Sequence, residues 1–365
     1  SGKSRAMFPD GKSWLIVEFG ADDKRAAREK AEGLVEAFKA RPNPPSSKIF
    51  DDKSEEQQLW EVRESGLGST SKVPGLPDFY PGWEDSAVAP DRLGDYLREF
   101  QKLLSDYGYQ ASLYGHFGQG CLHCSIDFDL FTAEGIRRYR EFVTKAAHMC
   151  VKHGGSLSGE HGDGQARGEL PPIMYGDDLV RAFGEFKALW DPQNKMNPGK
   201  VIHPYKLDEN LRWGTTYEPK QTATHFTFPE DRGSFAYAAN RCVGTGKCRK
   251  HDAGTMCPSY MVTKEEKYST RGRARLLFEM LEGDPLDGGW KNESVREALD
   301  LCLACKGCKG DCPVHVDMAT YNAEFLSHYY QGRLRPRHAY AMGLIYWWAR
   351  IAAYMPGIVN FELPL

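Results

Sequence analysis

The chain has 365 residues, with 47 Lys and Arg against 50 Asp and Glu and a formal charge of -3, so no global positive excess draws it to a polyanion such as nucleic acid. Its 41% hydrophobic, 27% charged and 12% aromatic content is that of a folded protein, not a disordered or collagenous one, and its length suits two domains. The longest apolar run, Ala339 to Ala349, is broken by Arg350 and stopped by Pro356, short of the roughly 20 residues that cross a bilayer, so no transmembrane span is expected. Ser1-Gly2-Lys3 has neither an initiator Met nor an apolar signal core and reads as an internal cut or a tag remnant.

The first half alternates β-rich runs with amphipathic segments. Ser13 to Phe19 reads as a strand, and Ala21 to Ala40 as a helix with Ala26, Ala27, Ala31, Leu34, Val35 and Phe38 at helical spacing. Pro90-Asp91 opens a helix to about Tyr107, with Leu93, Tyr96, Leu97, Phe100 and Leu104 on one face. Ala111 to His116 and Cys121 to Phe128 are two strands around a glycine turn, followed by a helix from about Thr132 to His153. A closing helix, Asp177 to Trp190, is ended by Asp191-Pro192. This β-α-α-β-β-α order predicts an α+β fold, a ferredoxin-like antiparallel sheet with helices on one face. Residues 206 to 235 are polar and aperiodic, a linker. Residues 236 to 335 have helical stretches at Thr270 to Leu281 and Ser294 to Leu301 and almost no strand signal, which predicts a small all-α domain organised by its cysteines.

Seven of the ten cysteines fall between Cys242 and Cys312. Clustered thiols in a long chain without a leader point to metal and a reducing compartment, hence the cytoplasm. Cys302-x2-Cys305-x2-Cys308-x3-Cys312-Pro313 matches the bacterial iron-sulfur ligand run, in which three thiolates wrap one cube and the fourth points to another. The missing thiolate of the first cube is best supplied by Cys257, which carries the same Cys-Pro ending. One [4Fe-4S] cluster on Cys257, Cys302, Cys305 and Cys308 is therefore expected. A second, on Cys242, Cys248 and Cys312, is one thiol short, because Thr245 stands where a middle cysteine would. It needs a non-cysteine ligand, with His251 or a water as candidates, or a three-iron form. Paired zinc knuckles are the competing reading, but the even spacing suits tetrahedral zinc poorly. Residues 241 to 275 carry nine Lys or Arg against three Asp or Glu. Such cations would stabilise a reduced, more anionic cluster, although a solvated basic face would look the same.

Two glycine-rich segments hold candidate chemistry: Gly115 to His123, with His116 and His123, and Ser158 to Gly164, with Glu160 and His161. An offset of seven puts two histidines on opposite faces of one continuous strand, so a turn at Gly118 and Gly120 must bring them together. Two imidazoles and a carboxylate, with Glu160 as the third ligand, form the donor set of an open zinc, manganese or iron(II) site, provided the three meet in space. In an extended loop Glu160 and His161 point to opposite sides, one toward a metal and one toward a substrate. Cys121 and Cys124 read as strand packing.

These segments, together with Asn197-Pro198-Gly199-Lys200, resemble the C-terminal substrate-cap domain of the FAD-linked D-2-hydroxyacid dehydrogenases, a branch of the vanillyl-alcohol-oxidase superfamily. The cysteine region resembles the helical ferredoxin domain fused to that cap in the long bacterial iron-sulfur members of D-2-hydroxyglutarate dehydrogenase type. The likeness spans about residues 13 to 335. It implies a cap over residues 1–205, a linker over 206–235, a [4Fe-4S] domain over 236–335, and a hydrophobic helix over 336–365 leading to a further domain. It implies His116, His123 and Glu160 as divalent-metal ligands, His161 as the base for the substrate hydroxyl, and Arg63 as the anchor of the substrate carboxylate. Asn197 and Lys200 would lie near the flavin. Cys121 and Ser125 replace asparagines common in the family, and Trp83-Glu84-Asp85 lacks a lysine often found there.

The implied reaction is oxidation of a D-2-hydroxyacid of the D-2-hydroxyglutarate, D-lactate or glycolate class to the 2-oxoacid. Electrons would pass through FAD and the cluster to a quinone or a redox protein. FAD itself is expected mainly on an N-terminal domain without a counterpart here, since no Gly-rich fingerprint sits between a strand and a helix. Peripheral contact with the inner membrane face and a homo-oligomeric state stay open. The alternative is a non-catalytic iron-sulfur electron-transfer subunit.

Overall fold

The computed structural model describes residues 7–11, 13–69, 71–72, 75–217, 222–251 and 254–357. They form two compact units, Ser1–Tyr217 and Glu218–Leu365. In the first unit α1 (Lys24–Lys39) starts on Asp23, whose carboxylate accepts the Ala26 N–H at 2.7 Å. After α2 (Lys53–Ser69) come β1 (Ser86–Ala87), α3 (Leu93–Tyr107), β2 (Ala111–His116), β3 (Cys121–Ile126), α4 (Ala133–Lys152) and α5 (Pro171–Trp190). The sheet is antiparallel in the order β1-β3-β2. Successive side chains of β3 alternate between its faces. Leu122, Cys124 and Ile126 therefore join Tyr96 and Phe100 of α3 and Phe142, Val143 and Ala146 of α4 in one core, and Cys121 and His123 belong to the other face.

The expected strand at Ser13–Phe19 does not form: the segment is extended but joins no sheet among the described residues. Leu15 and Val17 are exposed, and Trp14 instead packs on Phe8 and donates to the Pro9 carbonyl at 2.8 Å. A β-rich composition favours a strand only where a sheet edge offers a partner, and this segment pairs with none among the described residues. The sheet therefore begins at Ser86, and the expected order of elements is corrected to α-α-β-α-β-β-α-α. The closing helix starts at Pro171, earlier than expected, and is interrupted at Gly176, where φ is 77° and ψ is 162°.

The second unit holds α6 (Phe235–Ala239), α7 (Pro258–Thr263), α8 (Thr270–Glu282), α9 (Glu293–Asp300), α10 (Gly307–Asp311), α11 (Met318–Tyr329), α12 (Arg337–Gly343) and α13 (Ile345–Tyr354), with no strand among the described residues. An α+β unit followed by an all-α one is the fold class that the sequence predicts. Side-chain N-caps fix the helix starts: Ser269 accepts the Gly272 N–H, Asn292 that of Val295 and Asp317 that of Thr320. Ala274, Leu277, Met280 and Leu281 of α8 pack in the core with Phe235, Val295, Leu299, Val316 and Phe325. The exposed aromatic residues of α13 include Trp347 and Trp348. No helix among the described residues is long and apolar enough to cross a membrane.

Candidate metal centres

The β2-β3 hairpin pairs Tyr114 with His123 and His116 with Cys121, so both histidines occupy one face, with ring centroids 5.4 Å apart. The turn between them is closed by Gly120 at φ +71°, where a Cβ would lie 1.8 Å from the Val88 carbonyl oxygen. Only glycine fits there. The second glycine-rich loop is laced to β1: Ala87 and Ser156 exchange backbone hydrogen bonds of 3.0 and 2.7 Å, and the Gly159 N–H donates to the Asp85 carbonyl at 2.6 Å.

Asp85 is fully buried at φ +76°. Its carboxylate accepts the Ser158 hydroxyl and the N–H groups of Glu160 at 3.1 Å and His161 at 2.8 Å. Burial works to raise the Asp85 carboxyl, but the Ser158 hydroxyl and the His161 and Glu160 N–H groups outweigh it and hold the pKa below its ordinary value. Buried Arg167 braces the same corner, donating to the carbonyls of Glu84 and Gly162, with Nη2 3.5 Å from the Asp85 carboxylate.

Held in this way, Glu160 Oε1 lies 3.1 Å from His123 Nε2 and 3.4 Å from both His116 Nε2 and His161 Nε2. The expected trio therefore meets in space. His161 joins it, instead of turning away as the alternation of an extended loop suggests. Potential ligand atoms of Asp85, His123, Glu160 and His161 also lie within 4.8 Å of one another.

Glu84 sits behind both imidazoles, Oε2 being 3.1 Å from His161 Nδ1 and 3.4 Å from His123 Nδ1. Burial raises its carboxyl, yet the His123 and His161 contacts and the charges of His161 and Arg167 bring it down to about 2. Glu84 in turn raises the His123 pKa against the effect of burial. The His123 Nδ1 atom is buried and poorly directed for a hydrogen bond to Glu84, so charge, not bond geometry, carries that contact. Cys121 is kept a neutral thiol, pushed up to about 12 by burial and by the Asp85, Glu160 and Glu84 carboxylates.

The residues fit a divalent cation. The His116 and His123 Nε2 atoms converge on Glu160 Oε1 with His161 Nε2 beside them, and behind His123 stands a carboxylate of the kind that orients metal-bound imidazoles. Glu84 and Asp85 were missed in the sequence, where the only signal was two adjacent acids before a short β-rich run.

Arg63 on α2 reaches the same face: Nη2 is 3.4 Å from His116 Nδ1, and the guanidinium lies over the rings of Tyr114 at 4.9 Å and Trp60 at 5.1 Å. No carboxylate among the described residues pairs with it. Lys200 donates to Gln165 Oε1 at 2.7 Å in the loop after His161. Asn197 takes a turn conformation, φ +50°, and no contact with the histidines is seen.

In the helical unit, Cys257, Cys302, Cys305 and Cys308 line one cavity with Thr270, Arg273 and Met318. Four thiols around one apolar space fit a cubane. Burial raises the Cys308 thiol to about 11 and also raises Cys302. The Cys257 Sγ is 3.3 Å from Thr270 Oγ1. Of the other set, Cys248 accepts the Arg271 N–H at 3.3 Å, Cys312 is buried, and Cys242 packs against the same core. The ring of His251 lies 6.1 Å from that of Tyr260.

Residues 1–201 match the family described as FAD linked oxidases, C-terminal domain. The chain belongs to that family. Beyond the FAD-linked oxidase domain, residues 238–316 match a 4Fe-4S dicluster domain. Among the relatives of this FAD-linked oxidase chain, the D-2-hydroxyglutarate dehydrogenases of Pantoea ananatis and Escherichia coli are 28% and 27% identical. Each match covers 95% of this chain and 38% of the relative. A D-lactate dehydrogenase of Archaeoglobus fulgidus is 34% identical over 32% of this chain and 26% of its own length. The chain thus spans well under half the length of these relatives.

Proposed function

We propose that the chain is the substrate-cap and iron-sulfur portion of a dehydrogenase that oxidises a D-2-hydroxyacid to the 2-oxoacid, with D-2-hydroxyglutarate, D-lactate and glycolate as the candidate class. The observation that carries this reading is the convergence of the His116, His123 and His161 Nε2 atoms on Glu160 Oε1, within 3.4 Å. His116, His123 and Glu160 would hold a zinc, manganese or iron(II) ion. Cys257, Cys302, Cys305 and Cys308 would hold a [4Fe-4S] cluster, and Cys242, Cys248 and Cys312 a second cluster completed by His251 or water, or a three-iron form. When bound, these groups and FAD would supply a Lewis acid for the substrate hydroxyl, a hydride acceptor and a one-electron relay.

The chain's own residues do the rest. The Glu84 carboxylate holds His161 Nδ1, which fixes the tautomer and leaves Nε2 as the atom that takes the hydroxyl proton. The Arg63 guanidinium, stacked on Tyr114 and Trp60, offers a planar fork to the substrate carboxylate. Asn197 and Lys200 would face the flavin. The final acceptor would be a quinone or a redox protein, reached in the cytoplasm or at the inner membrane face.

The test is a screen of the full gene product, loaded with FAD, against D-2-hydroxyglutarate, D-lactate and glycolate with a dye acceptor. Selective dye reduction by one of them is expected. Failure of all three to reduce the dye in a preparation that holds its flavin, cluster and divalent ion would overturn the reading.

A further inference from the structure

We propose that Arg273 is the built-in counter-ion of the cluster site and raises the reduction potential of the cluster held there. The inference rests on the reading that Cys257, Cys302, Cys305 and Cys308 bind a [4Fe-4S] cluster.

Arg273 lies in the first turns of α8 and is 1% exposed. Its Nε donates to the Ala298 carbonyl at 2.7 Å, Nη2 to the Ser259 hydroxyl at 2.9 Å, and Nη1 to Cys257 Sγ at 3.4 Å. Among the described residues two other arginines are buried, and each faces acid: Arg167 lies 3.5 Å from both Glu84 and Asp85, and Arg241 is 2.9 Å from Asp231. Among the described residues no carboxylate pairs with Arg273. A guanidinium cannot escape by losing its proton, and a buried charge without a partner is strongly unfavourable. The group it does face is sulfur, on the wall of the cavity that the four cysteines share. A cube ligated by four thiolates is anionic and balances the cation. One-electron reduction adds a further negative charge to the cube, so a cation fixed at this distance, itself buried, favours the reduced form.

The test uses the full gene product, reconstituted anaerobically with iron and sulfide and titrated with dithionite while the reduced cluster is followed by electron paramagnetic resonance. Wild-type protein that binds no iron and sulfide sinks the cluster assignment itself, whatever Arg273 does. With the cluster present, R273Q keeps a donor and loses the charge. Its ratio of reduced to oxidised cluster at the wild-type midpoint should fall at least tenfold, a downward shift of about 59 mV for one electron. R273K keeps the charge and should stay within about threefold of wild type by the same charge argument. Loss of the cluster from R273Q but not from R273K would also support the counter-ion role, as failure to assemble an anion without its cation. An unchanged potential in R273Q overturns the proposal. So does R273K behaving like R273Q, or loss of the cluster from both, since the guanidinium would then be a strut between Ala298 and Ser259.

Discussion

Glu84 and Asp85 are neighbours with opposite tasks. Asp85 turns inward and ties down the backbone of Glu160 and His161, while Glu84 faces the imidazoles themselves. The proposed roles separate by mutation. His161→Asn should lower hydroxyacid turnover by roughly 100- to 10,000-fold, the usual worth of a positioned general base, with the divalent metal content unchanged by elemental analysis. Substantial residual activity would refute the base assignment. Glu84→Gln keeps the shape and loses the charge behind His123 and His161, so a loss of about 10- to 100-fold in metal affinity or activity is expected. His116, His123, Glu160 and His161 are legible in the sequence because glycine-rich surroundings mark them. Glu84 and Asp85 are not, because their importance comes from β1 lying alongside the loop that holds Glu160, and a two-residue strand leaves no periodicity to read.

At the scale of elements, amphipathic spacing reveals α1, α3, α4 and α8, since long helices carry their burial pattern in the chain itself. The hairpin is legible too, and its register explains how an odd offset becomes a shared face. The strand expected at Ser13–Phe19 fails because strand formation is decided by a partner elsewhere in the chain. One tie that spacing cannot show is Arg140 of α4, which donates to Glu169 at 2.9 Å and Asp208 at 2.7 Å, while Glu169 also accepts the Leu207 N–H at 2.7 Å. Burial raises the Glu169 carboxyl, but the bonds from Arg140 and Leu207 prevail and its pKa is lowered. A depressed carboxylate stabilises the fold fully above its unfolded pKa, about 4.3, and that stability is lost as the pH falls through the folded value. Glu169→Gln should therefore cost about 1 to 2 kcal/mol at neutral pH, with the wild-type and variant melting temperatures converging toward pH 3. A gap that stays constant across that range would rule the ionised contact out.

At the scale of the whole molecule, the described residues form two cores with no residue in common, one under the hairpin and one around α8. Each also has its own candidate inorganic centre, of different ligand hardness: imidazole and carboxylate in the first, thiolate in the second. Dialysis against EDTA should strip the divalent ion and abolish hydroxyacid turnover while the brown absorbance of the cluster persists, and added zinc, manganese or iron(II) should restore the rate. Turnover that survives complete removal of the ion would show that the cap site is not catalytic. The two candidate centres differ in what would remove them, oxygen for a thiolate-held cluster and a chelator for an ion on imidazole and carboxylate. On the proposed reading, a batch aged in air would still grip its substrate but would have no exit for electrons, and a batch stripped by chelator would fail the other way round. If both centres are as proposed, the handling history of a preparation, as much as its sequence, decides which half of the chemistry an assay observes.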